Sequence, residues 1–299
     1  MTSTISNPGT WSVGKVRSAG RHMSGMLIAI GNGSADTDAL PRIRRLEMED
    51  LRIALRKGFD DFSACRSDVV FICLLYPIIG IFLAWAAFQR ELLPLLFPVM
   101  SGFALVGPVA AVGLYEMSRR RERNETASLA EALRVVGSPS FGAILALGLL
   151  LFATFLVWLI LADQIYTAAL GPEAPASIGA FLINLFTTVG GWTMMIVGFA
   201  VGAVFAAAVL AISVVSFPLL LDRNYGLPLA VVTSIQVTRK NPRIIAIWGA
   251  IVAASLAIGS VPAFLGLVVV MPVLGHATWH LYRRAVGFEP AELTPSDLH

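Results

Sequence analysis

Long apolar runs alternate with short polar ones along most of the chain. A helix rises about 1.5 Å per residue, so a bilayer core of about 30 Å needs roughly 20 apolar residues to cross it. On that rule six spans are expected, running approximately from Val69 to Phe88, Leu92 to Tyr115, Phe141 to Ala162, Gly190 to Leu221, Ile244 to Ser260 and Phe264 to Tyr282. The fourth is longer than a bilayer requires, so it is expected to tilt, to kink near Pro218 or to project from the lipid. Only Val261 to Ala263 separate the last two, which predicts a tight hairpin.

Before each of the three hairpins stands a shorter stretch whose apolar residues recur at helical spacing. In the first, Met48, Leu51, Leu55, Phe59 and Phe62 share one face, with Glu49, Asp50, Arg52, Arg56 and Lys57 opposite. Such a helix is expected on the inner membrane surface. The second, "SLAEALRVVGSP", opens with a capping box formed by Ser128 and Glu131 and stops at Gly137 and Pro139. The third, "LAVVTSIQVTRKNP", follows Pro228 and ends at Pro242, and the returning helix of each hairpin carries a proline: Pro108, Pro218 and Pro272. This is either a weak internal repeat or three unrelated hairpins with ordinary punctuation. The expected fold class is all-α, a polytopic membrane protein with six transmembrane helices in three hairpins, each preceded by a cytoplasmic amphipathic helix. The expected organisation is a partly disordered polar arm over residues 1–45, a transmembrane domain over 46–286 and a disordered tail over 287–299.

Composition agrees with a membrane chain: of 299 residues, 57% are hydrophobic and only 14% charged, and the mean hydropathy is +0.76. One soluble core could not hide that much apolar surface. The net charge of +3 says little, but its distribution says more. All of the 22 Lys and Arg except Arg90 fall on one side if the two termini share that side. The positive-inside rule then puts both termini in the cytoplasm, the orientation expected of an inner-membrane protein. The outer loop from Asp163 to Thr188 has two acidic residues, Asp163 and Glu173, and no basic one. Its segment Ser177 to Phe186 reads as an interface helix. The apolar piece Met26 to Ile30 is too brief for a signal-peptide core, so no cleaved targeting segment is expected, and Cys65 and Cys73 make no disulfide framework.

Arg119, Arg120, Arg121, Arg283 and Arg284 read as inner anchors, and Trp279 with Tyr282 as an interfacial aromatic belt. The bilayer is the expected partner, and the basic run at Arg119 to Arg123 could hold anionic lipid headgroups. Without aromatic interleaving or a soluble domain, nucleic acid is not an expected partner. Gly198 and Gly202, with Ala206 beyond them, and Gly249, Ala253 and Ala257 set small residues four apart, which lets backbones approach closely. Internal packing is the favoured use of these positions over a homo-oligomer contact.

"LLPLLFPVMSGFALVGPVAAVGLYEMSRRRER" (Leu92 to Arg123), "SFPLLLDRN" (Ser216 to Asn224) and "VMPVLGHATWHLYRR" (Val270 to Arg284) resemble the bacterial integral-membrane family called domain of unknown function 2189. The resemblance runs from about Leu46 to Val286. It implies a membrane fold and no activity, although members often carry the label cytochrome c oxidase subunit I-like.

Candidate chemistry concentrates in the last of these motifs, where His276 and His280 share a helix face at i and i+4. A catalytic haem-copper subunit needs about six histidines as axial and copper ligands. This chain has four, two of which, His22 and His299, lie in the polar ends, so that class is excluded. A smaller haem or copper site could draw on His276, His280 and Cys73, within a polar ring completed by Asp68, Glu116 and Asp222. The alternatives are a plain exit from the membrane at its aromatic belt, or a buried His276 bonded to a neighbouring span. No cofactor is expected. No GxSxG, HExxH, Walker loop or dinucleotide fingerprint is present, so no enzyme is expected. The expected function is a non-enzymatic scaffold or accessory component of another membrane complex. A small-solute or lipid-handling permease is one alternative, although the span centres hold no ionisable residue. A haem- or copper-linked respiratory accessory is the other.

Overall fold

A computed structural model describes residues 41–73, isolated positions between 77 and 109, and residues 111–288. The chain enters through strand β1 (Pro41–Ile43) and helix α1 (Met48–Cys73), and a short 3-10 turn follows at Leu93–Leu95. Then come α2 (Val112–Glu122), α3 (Leu129–Leu133), which runs into a 3-10 turn at Arg134–Gly137, and α4 (Phe141–Leu170). The rest is α5 (Ile178–Thr187), α6 (Val189–Ser213), α7 (Ser216–Asp222), α8 (Leu227–Lys240), α9 (Pro242–Ser260), α10 (Leu267–Ala285) and strand β2 (Val286–Phe288). The described chain is therefore mostly helical.

Among the described residues three stretches are long and apolar enough to cross a membrane: Phe141–Leu170, Val189–Asp222 and Pro242–Ser260. They correspond to the third, fourth and fifth expected spans. The first two expected spans are described only in pieces, the rest of them lying outside the described residues. The sixth is α10, whose apolar run gives way to His276, His280, Arg283 and Arg284. The kink expected near Pro218 is a real break: α6 ends at Ser213 and α7 starts at Ser216. Proline has no N–H to return to the carbonyl of Val214, so the helix restarts rather than continuing. The gap is closed from α8, where the Ser234 hydroxyl accepts from the Val215 N–H at 3.4 Å, and by Ser216 Oγ donating to the Ala230 carbonyl at 3.0 Å.

Local caps follow the sequence closely. Ser128 Oγ accepts from the Glu131 N–H at the start of α3, and Ser177 Oγ accepts from the Ala180 N–H at the start of α5. None of the residues of α5 is buried. The connection from α9 to α10, residues 261–266, is longer than the three residues expected and turns through left-handed backbone at Ala263 (φ 49°) and Phe264 (φ 65°). A Cβ on Gly266 would lie 2.7 Å from the Cα of Gly259, so the two helices meet backbone to backbone there. Two of the small-residue positions serve internal packing. Gly202 receives the Trp158 ring, with a Cβ there only 3.2 Å from it, and Gly249 receives Leu210. Gly198 opens onto free space and Ala253 is exposed.

Two features depart from the sequence reading. The first is a packed face on α1 that its periodicity did not predict. Met48 and Phe59, on the face expected toward the membrane surface, are 53% and 55% exposed. The buried face is instead Leu51, Ala54, Gly58, Asp61 and Cys65, spaced alternately three and four apart. It lies antiparallel along α10, and the approach is so close that a Cβ on Gly58 would sit 2.6 Å from the Ala277 backbone nitrogen. Small residues win this face because large ones would hold the helices apart. The second feature is β1 pairing antiparallel with β2, Arg42 opposite Gly287, which ties together the stretches on either side of the helical domain. Asn241 reinforces the tie, accepting from the Leu46 N–H at 2.8 Å and donating to the Arg44 carbonyl at 3.1 Å, while Lys240 Nζ reaches the Ile43 carbonyl at 2.8 Å. Strands of three residues are too short to show the alternation that would betray them in sequence.

Candidate functional site

The small face of α1 brings Asp61 against α10 and α2. Ser118 on α2 donates its hydroxyl to Asp61 Oδ2 at 2.6 Å, and His276 Nδ1 lies 2.8 Å from the same hydroxyl oxygen. An ionised carboxylate can only accept, so the single serine proton points at Asp61 and the oxygen accepts from Nδ1–H of His276. That fixes the tautomer and leaves the lone pair of His276 on Nε2, a buried atom with no hydrogen-bond partner among the described residues. One turn further along α10, His280 Nε2 donates to the same Asp61 Oδ2 at 2.8 Å. Arg121 stands 3.4 Å from Asp61 Oδ1 and also donates to the Asp60 and Asp61 carbonyls. Burial alone would raise the Asp61 pKa. The hydrogen bonds from His280 and Ser118 and the nearby imidazoles outweigh it, and the carboxyl is held below its ordinary value.

Serine, histidine and aspartate together invite comparison with a nucleophilic triad, but the order is wrong. In a triad the imidazole stands between hydroxyl and carboxylate, accepting from one and donating to the other. Here the hydroxyl stands between carboxylate and imidazole. Ser118 and His276 are fully enclosed and Asp61 is 6% exposed. The chemistry available to this arrangement is cohesion between α1, α2 and α10.

Two further ionic clusters lie at the same end of the molecule. Glu116, buried on α2, pairs with Arg119 and Arg120 at 2.9 Å each, and Arg120 continues to Glu131 of α3 at 3.0 Å. At the close of α7, Asp222 accepts from the Tyr282 hydroxyl at 2.8 Å and meets Arg283 at 3.4 Å and Arg123 at 3.5 Å. Glu122 accepts from Trp279 Nε1 at 3.1 Å and from Arg283 at 3.0 Å. Burial would lower the Arg283 pKa, but Glu122 and Asp222 prevail and raise it.

The expected site residues therefore fall into a different pattern. His276 and His280 do converge, but on Asp61 and Ser118 rather than on Glu116 and Asp222. Asp68 and Cys73, also expected in the ring, have side chains that lie outside the described residues. Among the described residues no three His, Cys, Asp or Glu side chains gather as metal ligands would. Trp279 and Tyr282 do not form an outward belt: they are 1% and 0% exposed, their rings packed 5.4 Å apart and their polar tips bonded inward. Buried aromatics with a polar handle find a partner in this way. Arg119, Arg120, Arg121 and Arg283 hold helix ends together, and Arg284 pairs with Asp50 at 3.4 Å. Asp61, Ser118 and Glu122 are the residues that sequence reasoning missed. The signal for Asp61 was its place in the Leu51, Ala54, Gly58, Cys65 series.

Three long apolar stretches with little of their surface covered define an integral membrane protein. Residues 96–222 match the family described as predicted integral membrane protein, DUF2189. The matched region takes in α2 through α7, including "SFPLLLD"; the motif from Val270 to Arg284 lies beyond it. No curated protein and no solved structure matches the chain.

Proposed function

We propose that the protein is a non-enzymatic component of the bacterial inner membrane, a scaffold or accessory partner of another membrane complex, with its arginine-rich end and both termini in the cytoplasm. The observation that carries this reading is the bareness of α6. Of its 25 residues only Gly191, Val209 and Ser213 are buried, while Ile196 and Val204 are 65% and 68% exposed. Its other side packs on α4 and α8, so the bare face alone is free to meet lipid or another protein, and Gly198 leaves room for close backbone contact. The side chains capable of chemistry support the same reading, because Asp61, Ser118, His276 and His280 are engaged with one another inside the fold.

Photo-crosslinking from positions 196 and 204 in native membranes tests it. Capture of one and the same polypeptide from both positions, reduced when Gly198→Leu blocks the groove, is the expected result. Adducts with lipid alone would overturn the scaffold reading, and flux of a solute into proteoliposomes holding the purified protein would favour a permease instead.

A further inference from the structure

We propose that the cavity between the ends of α2, α7 and α10 is a binding site for a phosphate group. This goes beyond the scaffold reading and does not depend on it. The cavity measures about 560 Å³ and is walled by Arg119, Arg123, Arg223 and Arg283 against only two carboxylates, Glu122 and Asp222. Four guanidiniums facing two carboxylates leave an excess of positive charge in a concave site.

The four arginines are not equivalent. Arg119 is fixed by Glu116 and by donating to the Leu221 carbonyl at 2.7 Å. Arg283 is fixed by Glu122 and Asp222. Arg123 reaches only one oxygen of Asp222, at 3.5 Å, and its side chain is half exposed. Asp222 is at the same time committed to the Tyr282 hydroxyl and to Arg283. Arg223 has no carboxylate partner among the described residues. Its guanidinium stacks on the Phe288 ring, 4.6 Å from the centroid, which holds the plane in place and leaves its N–H fork unoccupied. Two planar forks held beside one cavity, one loosely paired and one unpaired, fit a tetrahedral oxyanion that accepts several hydrogen bonds. The cleft has room for more than a bare phosphate, so a phosphate ester fits it.

Two sources supply such a group. Asp222 closes the apolar run Val189–Asp222, so the cavity lies where a long membrane helix ends and phospholipid headgroups lie. A soluble phosphate ester approaching from the aqueous side presents the same chemistry. The full-length protein, in nanodiscs of zwitterionic lipid at low salt, is titrated calorimetrically with glycerol 3-phosphate and, separately, with dihexanoyl phosphatidylglycerol. Binding of either supports the site; glycerol 3-phosphate binding indicates a soluble ester, and binding of the lipid alone indicates a headgroup. Replacing both forks, Arg123→Gln with Arg223→Gln, is expected to weaken binding about tenfold or more, as loss of charge-assisted hydrogen bonds does. Arg52→Gln, on exposed α1 surface and paired among the described residues only with Glu49, is expected to change nothing. If the glutamine pair does not fold, Arg123→Lys with Arg223→Lys decides, since lysine keeps the charge and loses the fork: a weakening of threefold or more supports the proposal. No binding of either probe at millimolar concentration, or equal affinity in the variants, overturns it.

Discussion

Asp61→Ala removes the acceptor on which three helices converge. Two well-formed hydrogen bonds are lost, from Ser118 at 2.6 Å and His280 at 2.8 Å, together with the looser ion pair to Arg121 at 3.4 Å. A hydrogen bond to a charged group is worth about 1.5–3 kcal/mol, and breaking a buried charged network by deleting one partner costs about 3–5 kcal/mol. The lower figure is the safer one, because Arg121 is a third exposed and keeps its backbone acceptors. At about 2–4 °C per kcal/mol for a domain of this size, the unfolding temperature should fall by on the order of 10 °C. A fluorescence-detected thermal shift in mild detergent measures it. Ser118→Ala alone should cost less, and the double variant should be less destabilised than the sum of the singles, since both act on one contact. An Asp61→Ala protein unfolding within about 2 °C of the unaltered chain would refute the account of the cluster.

Acidification supplies an independent check: Asp61 is held below its unfolded value of about 3.9, so its contribution is complete above that value and is lost as pH falls through the lower folded one. Thermal stability should drop more steeply on acidification in the unaltered protein than in Asp61→Asn, which has no such proton to take up. Gly58→Ala puts a methyl 2.6 Å from the Ala277 nitrogen and 2.7 Å from its Cβ; an overpacking cost of about 1–3 kcal/mol or more is expected, read in the same thermal assay. Asn241→Ala should release the link that holds Leu46 and Arg44, and limited proteolysis should then cut between residues 41 and 47 faster than in the unaltered chain.

How much the sequence discloses depends on which force shapes each element. Helices α4 and α6 were legible because lipid asks only for length and apolarity, and the break before Pro218 because a missing N–H has one consequence. The buried face of α1 was not. An amphipathic reading ranks faces by hydrophobicity and so chose Met48 and Phe59, whereas close helix contact selects small side chains, here Ala54 and Gly58. His276 and His280 were legible as a pair, but their partners Asp61 and Ser118 are 219 and 158 residues away in sequence from the histidines they meet, and no local spacing predicts such an encounter. Trp279 and Tyr282 beside two arginines match an interfacial belt in composition. Only the neighbouring ends of α2 and α7 turn them inward.

Membrane topology is the claim on which the functional proposal rests, and thiol labelling in spheroplasts measures it directly. With Cys65 and Cys73 replaced by serine, single cysteines are placed at Glu173, in the loop after α4, and at Arg52, whose side chain is 82% exposed on α1. A membrane-impermeant reagent should label Glu173→Cys in intact spheroplasts and Arg52→Cys only after lysis. Labelling of Arg52→Cys before lysis, with Glu173→Cys protected, would put the arginine-rich end outside and contradict the account.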